Sequence, residues 1–131
     1  MSRFVCVIDD DEDIRDVLYD VLTFEGYPVL VASDGAEALE RLRGREDSCC
    51  LILLDLMMPR MNGWEFRRRQ AEDPSLGSIP VMLLTGAGGA AKTASDLKAA
   101  GTLEKPVELD TLLEVVARFY GPLPLEEQPH P

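Results

Sequence analysis

The sequence predicts an α/β fold in which one parallel sheet of five strands carries helices on both faces. Three observations predict it. Short apolar runs rich in β-branched residues recur without polar alternation, the pattern of strands buried on both sides. Each run is followed by a segment whose apolar residues take helical spacing, so the order reads βα five times over. Strands separated by helices pair in parallel, because the helix is the crossover that returns the chain to the same end of the sheet.

Phe4-Val5-Cys6-Val7-Ile8 is the first strand, and it ends abruptly in Asp9-Asp10-Asp11-Glu12-Asp13. Ile14, Val17, Leu18, Val21 and Leu22 follow at i, i+3, i+4, i+7 and i+8, one apolar helix face. The acids suit its N-terminus and Gly26 stops it. Val29-Leu30-Val31-Ala32 is the second strand. Asp34 caps a helix carrying Ala38, Leu39 and Leu42, which Gly44 ends. Cys49-Cys50-Leu51-Ile52-Leu53-Leu54 is the third strand, ending in Asp55. A loop over Met57-Met58-Pro59-Arg60-Met61-Asn62-Gly63 leads to a helix from about Trp64 to Gln70. Pro80-Val81-Met82-Leu83-Leu84 is the fourth strand, ending at Thr85, and a small-residue stretch leads to a helix near Lys92–Ala100. Thr102-Leu103 is at most a very short fifth strand. Leu109, Leu112, Leu113, Val116 and Phe119 mark the last helix, which Gly121-Pro122 ends. The reading divides the chain into one domain over residues 1–120 and a Pro-rich polar tail over 121–131, expected to be disordered.

A chain of 131 residues holds one domain with a core of its own. Its 28% charged and 46% hydrophobic residues are those of a globular protein. The formal net charge of -11 opposes direct binding to nucleic-acid backbones or anionic lipid, so neither is expected as a partner. Met1-Ser2-Arg3-Phe4 runs straight into the first strand and does not read as a signal peptide, and no apolar stretch approaches a membrane span. The expected location is the cytoplasm. Cys6, Cys49 and Cys50 fit no zinc spacing and read as small buried hydrophobes in a reducing compartment. Arg67-Arg68-Arg69 reads as an exposed helix face, Trp64 and Phe66 as packed or at the helix edge, and His130 as inert.

In doubly wound sheets, ligands bind in the crevice at the carboxyl ends of the strands. Asp9, Asp10, Asp55, Thr85 and Lys105 all stand at such ends, on four different strands that the topology brings to one rim. Carboxylates gathered in one cleft repel each other and call for a cation. Mg²⁺, which takes carboxylates, water and phosphate oxygens, answers that need. A carboxylate can also accept a phosphoryl group, a transfer that needs positive charge around the equatorial oxygens. Lys105 and the metal can supply that charge, the Thr85 hydroxyl can bond a further oxygen, and Gly86 leaves room for the group to arrive. A competing pattern, Gly86-Ala87-Gly88-Gly89-Ala90-Ala91-Lys92-Thr93, nearly spells a P-loop. Ala91 stands where that loop needs glycine, and the fourth strand is the wrong place for it.

Ile8-Asp9-Asp10-Asp11, Leu54-Asp55-Leu56-Met57-Met58-Pro59 with Met61-Asn62-Gly63, Leu84-Thr85-Gly86 and Glu104-Lys105-Pro106 resemble the motifs of bacterial two-component response-regulator receiver domains. The resemblance extends to about Tyr120 and implies a flavodoxin-like (βα)5 fold. It implies that Asp55 is the phosphoacceptor, that Asp9 and Asp10 position Mg²⁺ with Asp10 the direct ligand, and that Met57 offers its backbone carbonyl to the metal. Thr85 becomes the switch hydroxyl and Lys105 the contact to the phosphoryl group. The implied donor is a phosphohistidine on a sensor histidine kinase or a histidine phosphotransfer protein. The domain reads as stand-alone, with its output an unidentified downstream protein or a relay, and it catalyses only its own phosphorylation and dephosphorylation. Such domains usually carry an aromatic residue three positions before the lysine, where this chain has Thr102. The switch is therefore expected to run mainly through Thr85, the Gly86–Ala91 loop and the helix after it. Two other functions fit parts of the pattern. One is a receiver-like adaptor that binds protein without phosphorylation. The other is a haloacid-dehalogenase-type phosphatase, which needs an acid where this chain has Met57.

Overall fold

The computed structural model describes residues 3–58, 61–86 and 90–123. The chain alternates β1 (Phe4–Ile8), α1 (Glu12–Phe24), β2 (Val29–Ala32), α2 (Gly35–Leu42), β3 (Cys49–Asp55), α3 (Gly63–Glu72), β4 (Val81–Thr85), α4 (Ala90–Asp96), β5 (Gly101–Glu104) and α5 (Leu109–Tyr120), with a 3₁₀ turn at Glu46–Ser48 before β3. The strands form one parallel sheet in the order β2-β1-β3-β4-β5, the doubly wound arrangement the sequence predicts.

The central strands are continuous apolar runs because both of their faces are covered. Cys6, Ile8, Ile52, Leu54 and Leu83 face a cluster that includes Ala38 and Leu42 of α2, Phe66 of α3 and Ala94 of α4. Val5, Val7, Leu51, Leu53 and Leu84 face Leu18 and Leu22 of α1 and Leu112 and Val116 of α5. Side chains alternate across each strand, so a slip of one residue in register would exchange the two cores.

Helix starts follow the capping chemistry in the sequence. The Asp11 carboxylate accepts from the N–H groups of Asp13 and Ile14, Asp34 from Glu37, and Asn62 from Glu65. Gly26 and Gly44 stop α1 and α2 at positive φ of 98° and 82°, where a side chain would strain the backbone.

Boundaries differ from expectation in five places, one of them the start of β4 at Val81 rather than Pro80. β3 runs one residue further and takes in Asp55, while α3 spans Gly63–Glu72 rather than 64–70. α4 lies earlier than Lys92–Ala100 because the chain turns back at its end: the Ala99 N–H donates to the Ala94 carbonyl (2.9 Å) and Lys98 adopts φ 55°. The fifth strand is longer than Thr102-Leu103, since Gly101–Glu104 pairs along Met82–Thr85. The run Arg67-Arg68-Arg69 is not one exposed face. Arg68 and Arg69 are exposed beside Glu65, at 3.9 and 3.8 Å, but Arg67 is drawn against the end of α4.

Cys6 and Cys49 are buried, Cys50 is half-buried and all three are free thiols. Burial pushes Cys49 up to about 12 and Cys50 to about 11, so they stay protonated and unreactive, as their reading as hydrophobes requires. Phe66 is buried and Trp64 is exposed at the start of α3. No helix among the described residues is long and apolar enough to cross a membrane. Pro59, Arg60, residues 87–89 of the P-loop-like run, and the tail residues 124–131 with His130 lie outside the described residues.

Candidate functional site

Strand register assembles the site. Ile8 of β1 pairs with Leu54 of β3, so the next residues, Asp9 and Asp55, stand side by side at the carboxyl edge. Asp55 pairs with Leu84, which puts Thr85 one position further along the same rim. Thr85 pairs with Glu104, and the Lys105 N–H donates to the Thr85 carbonyl at 2.7 Å. Four residues far apart in sequence thus meet because all four strands run the same way.

Asp9 is fully buried. Its Oδ1 accepts from the Asp11 N–H at 2.9 Å, and its Oδ2 lies 2.9 Å from Lys105 Nζ. Asp55 Oδ1 accepts from the Met57 N–H at 3.1 Å and lies 3.5 Å from the same ammonium. Lys105 therefore bridges two carboxylates. Asp10 is exposed, yet one carboxylate oxygen from each of Asp9, Asp10 and Asp55 lies within 4.8 Å of the others. Three hard oxygen donors converging on one point fit a small divalent cation such as Mg²⁺. Thr85 Oγ1 is buried and has no hydrogen-bond partner among the described residues, a costly state for a hydroxyl unless a ligand oxygen completes it.

The electrostatics follow from this crowding. Burial pushes the Asp55 carboxyl up to about 6, helped by the Asp9 charge and by a hydrogen bond that its protonated form donates to Asp10; the Met57 N–H and Lys105 oppose it. Burial pulls the Lys105 ammonium down, but the bonds and charges of Asp9 and Asp55 outweigh it, and its pKa is raised.

Two close approaches fix the acceptor loop, and only one lay in a motif singled out from the sequence. A Cβ on Gly63 would sit 2.7 Å from Leu56 Cα and 2.8 Å from the Asp55 carbonyl oxygen. Without it, the Gly63 N–H reaches the Leu56 carbonyl at 3.0 Å and closes the loop. Gly35, at the start of α2, does the same on the other side: its N–H donates to the Met61 carbonyl at 3.1 Å, where a Cβ would lie 2.9 Å from that oxygen. A glycine directly after the capping Asp34 was the available signal. The site also continues into a groove of about 280 Å³ between α1 and the start of α5, lined by Ile14, Val17, Leu18, Val107 and Leu109 and reaching Lys105. The sequence reading assigned Val17 and Leu109 to apolar helix faces without distinguishing that both are substantially exposed, at 51% and 43%.

Comparison with known proteins agrees with this geometry. The family model "Response regulator receiver domain" matches residues 5–117. The chain is 36% identical to the response regulator MprA of Mycobacterium ulcerans (strain Agy99) over 116 residues, covering 86% of this chain and 48% of that protein. It is 34% identical to the transcriptional regulatory protein CrdR of Helicobacter pylori over 132 residues, covering 99% of this chain and 61% of that protein. The chain thus spans roughly half the length of these relatives, between 48% and 61%. Among solved structures, the chemotaxis protein CheY4 of Vibrio cholerae superposes with a TM-score of 0.80 at 30% identity, covering 91% of this chain and 99% of that one. A response regulator receiver domain protein from Clostridium thermocellum gives 0.79 at 26%, covering 90% and 94%. The rim of acids, the bridging lysine and these matches lead to one conclusion: the chain belongs to the response regulator receiver domains, signalling domains of two-component systems that act as phosphorylation switches.

Proposed function

We propose that Asp55 accepts a phosphoryl group from a phosphohistidine donor, with Mg²⁺ held by Asp9, Asp10, Asp55 and the Met57 carbonyl. The observation that carries this is the Lys105 ammonium reaching both Asp9 (2.9 Å) and Asp55 (3.5 Å) beside a third carboxylate and a buried Thr85 hydroxyl that has no partner among the described residues. When bound, the metal neutralises the carboxylates and offsets charge on the phosphoryl oxygens. Asp55 attacks phosphorus with an ionised oxygen; an O–P bond forms as the P–N bond to the donor imidazole breaks. With its pKa at about 6, Asp55 is mostly ionised at neutral pH. Lys105 and Thr85 then bond the transferred oxygens.

The donor is a sensor histidine kinase or histidine phosphotransfer protein, and the groove between α1 and α5 offers it an apolar surface that reaches Lys105. The switching unit is residues 1–120, with 121–131 outside it, working in the cytoplasm on a downstream protein and not on nucleic acid directly. With acetyl phosphate and Mg²⁺, the chain should gain a hydroxylamine-labile phosphoryl adduct, and beryllofluoride should be trapped at Asp55. A folded chain that takes neither adduct acts instead as an adaptor.

The metal site carries a prediction of its own. Binding requires Asp55 to lose its proton, so below about pH 6 Mg²⁺ affinity should fall about tenfold per pH unit, and it should level off above pH 7. Asp10→Ala should weaken it by about 10- to 100-fold, the equivalent of one charge-assisted bond at roughly 1.5–3 kcal/mol. It should also stabilise the metal-free chain by thinning a set of repelling carboxylates. Calorimetric titration from pH 5 to 8 checks both, and a pH-independent affinity would exclude Asp55 as a ligand.

A further inference from the structure

The last carbonyls of a helix have no partner within it and lie at the negative end of its dipole. At the end of α4, the Lys98 N–H turns back to the Ser95 carbonyl (3.1 Å) and the Ala99 N–H to that of Ala94 (2.9 Å). The carbonyls of Leu97 and Lys98 are taken by Arg67 of α3, through Nε at 2.8 Å and Nη2 at 3.1 Å. Arg67 is itself held in place. Its Nη1 donates to Gln70 Oε1 at 2.9 Å, and Gln70, fully buried, donates through Nε2 to the Leu76 and Ile79 carbonyls at 2.9 and 3.0 Å. The planar guanidinium is thus oriented by α3 and the turn before β4 ahead of any contact with α4.

α4 has seven residues, below the length at which a helix holds itself. Among its described side chains Ala94 is buried, with Leu97 and Ala99 just beyond it only partly so. The chain then enters β5 through the Ala100 N–H, which donates to the Val81 carbonyl at 2.7 Å.

We infer that Arg67 makes the C-terminal end of α4 a fixed pivot, so that rearrangement carried from Thr85 along α4 stops short of Leu97 and does not reach β5 through the end of that helix. The inference rests on Asp55 as the phosphoryl acceptor. It confines the altered part of α4 to the residues before Leu97, and it names Arg67 as the positioning residue that sets this limit.

Amide hydrogen exchange of the wild type, Arg67→Ala and Arg68→Ala, each with and without Mg²⁺ and beryllofluoride, tests it. Without the analogue, Arg67→Ala should speed exchange at Leu97–Ala100 about tenfold, the scale of lost bonds to a charged donor, and Arg68→Ala should not. With the analogue, changes in the wild type should end before Leu97, and in Arg67→Ala they should extend through Ala100. If Arg67→Ala fails to fold, Gln70→Met, which removes the anchor and keeps the arginine, should loosen the same amides. Unchanged exchange at Leu97–Ala100 in the folded variant overturns the pivot, as does a wild-type response there as large as at Thr85. A wild type that responds nowhere to the analogue counts against Asp55 as acceptor. The pivot is then decided by the comparison without analogue.

Discussion

Asp55→Asn should abolish phosphoryl capture and, in metal-free buffer, make the chain more stable than the wild type above pH 6. The first effect is chemical: an amide has the shape of the carboxylate and no nucleophilic oxygen. Labelling by acetyl phosphate should fall to background, and labelling at the wild-type rate would mean that another residue is the acceptor. The second effect is linkage. Asp55 has an ordinary value of 3.8 and a folded value of about 6. Between those values the folded chain holds the proton more tightly than the unfolded chain, so wild-type stability falls as pH rises through the window. The loss is absent below pH 3.8 and complete above about pH 6. Asparagine cannot ionise and escapes it. The full shift, discounted for solvent screening at the rim of the cleft, corresponds to a difference on the order of 2 kcal/mol. Urea unfolding in chelator at several pH values between 4 and 7 measures it, and two curves that run parallel would show that Asp55 carries no such penalty.

The parts of this fold that were legible in the sequence are those whose signal is local. β1 and β3 read as strands because every residue from Phe4 to Ile8 and from Leu51 to Leu54 is buried, which demands an uninterrupted apolar run. The rim followed from topology alone: once the strands are parallel, residues at their carboxyl ends must converge. What was not legible depends on partners. β5 is a strand because it pairs with β4 rather than because of its own sequence, and Thr102 gives no sign of where pairing starts. α4 is turned back two residues past its end by a left-handed lysine, Lys98, where no glycine marks the stop. Arg67 is chemically identical to the two arginines after it. Its place three residues before the buried Gln70, one helical turn away, was the distinguishing sign, visible only after Gln70 is known to face inward. The acids Asp9 and Asp10 show the same limit: adjacent and alike in sequence, one is fully buried against Lys105 and the other exposed.

Lys105→Met is the variant that separates the two roles of the lysine, as counterion of the acids and as reader of the phosphoryl group. Methionine keeps much of the length and volume while removing the charge. In metal-free buffer it leaves Asp9, with no exposure of its own, without the side-chain cation that stands 2.9 Å away. Removing one partner of a fully buried pair costs about 3–5 kcal/mol. The Lys105 side chain is 23% exposed, so the expected loss is lower, roughly 2–3 kcal/mol. The pKa of Lys105 is raised from 10.5, so this stabilisation is fully present at neutral pH and would disappear only above the folded value. Lys105 also holds the Asp55 carboxyl down, so the variant should push Asp55 higher and move its titration window upward with it. A cation binding the same acids replaces the lost counterion: free Mg²⁺ at about 100 times its Kd adds roughly 2.7 kcal/mol to the folded state. Mg²⁺ should therefore restore the stability of Lys105→Met, while beryllofluoride affinity stays far below wild type because no ammonium meets the transferred oxygens. Wild-type stability in chelator would remove Lys105 as the counterion. Beryllofluoride affinity restored to the wild-type value by Mg²⁺ would remove it as the phosphoryl contact.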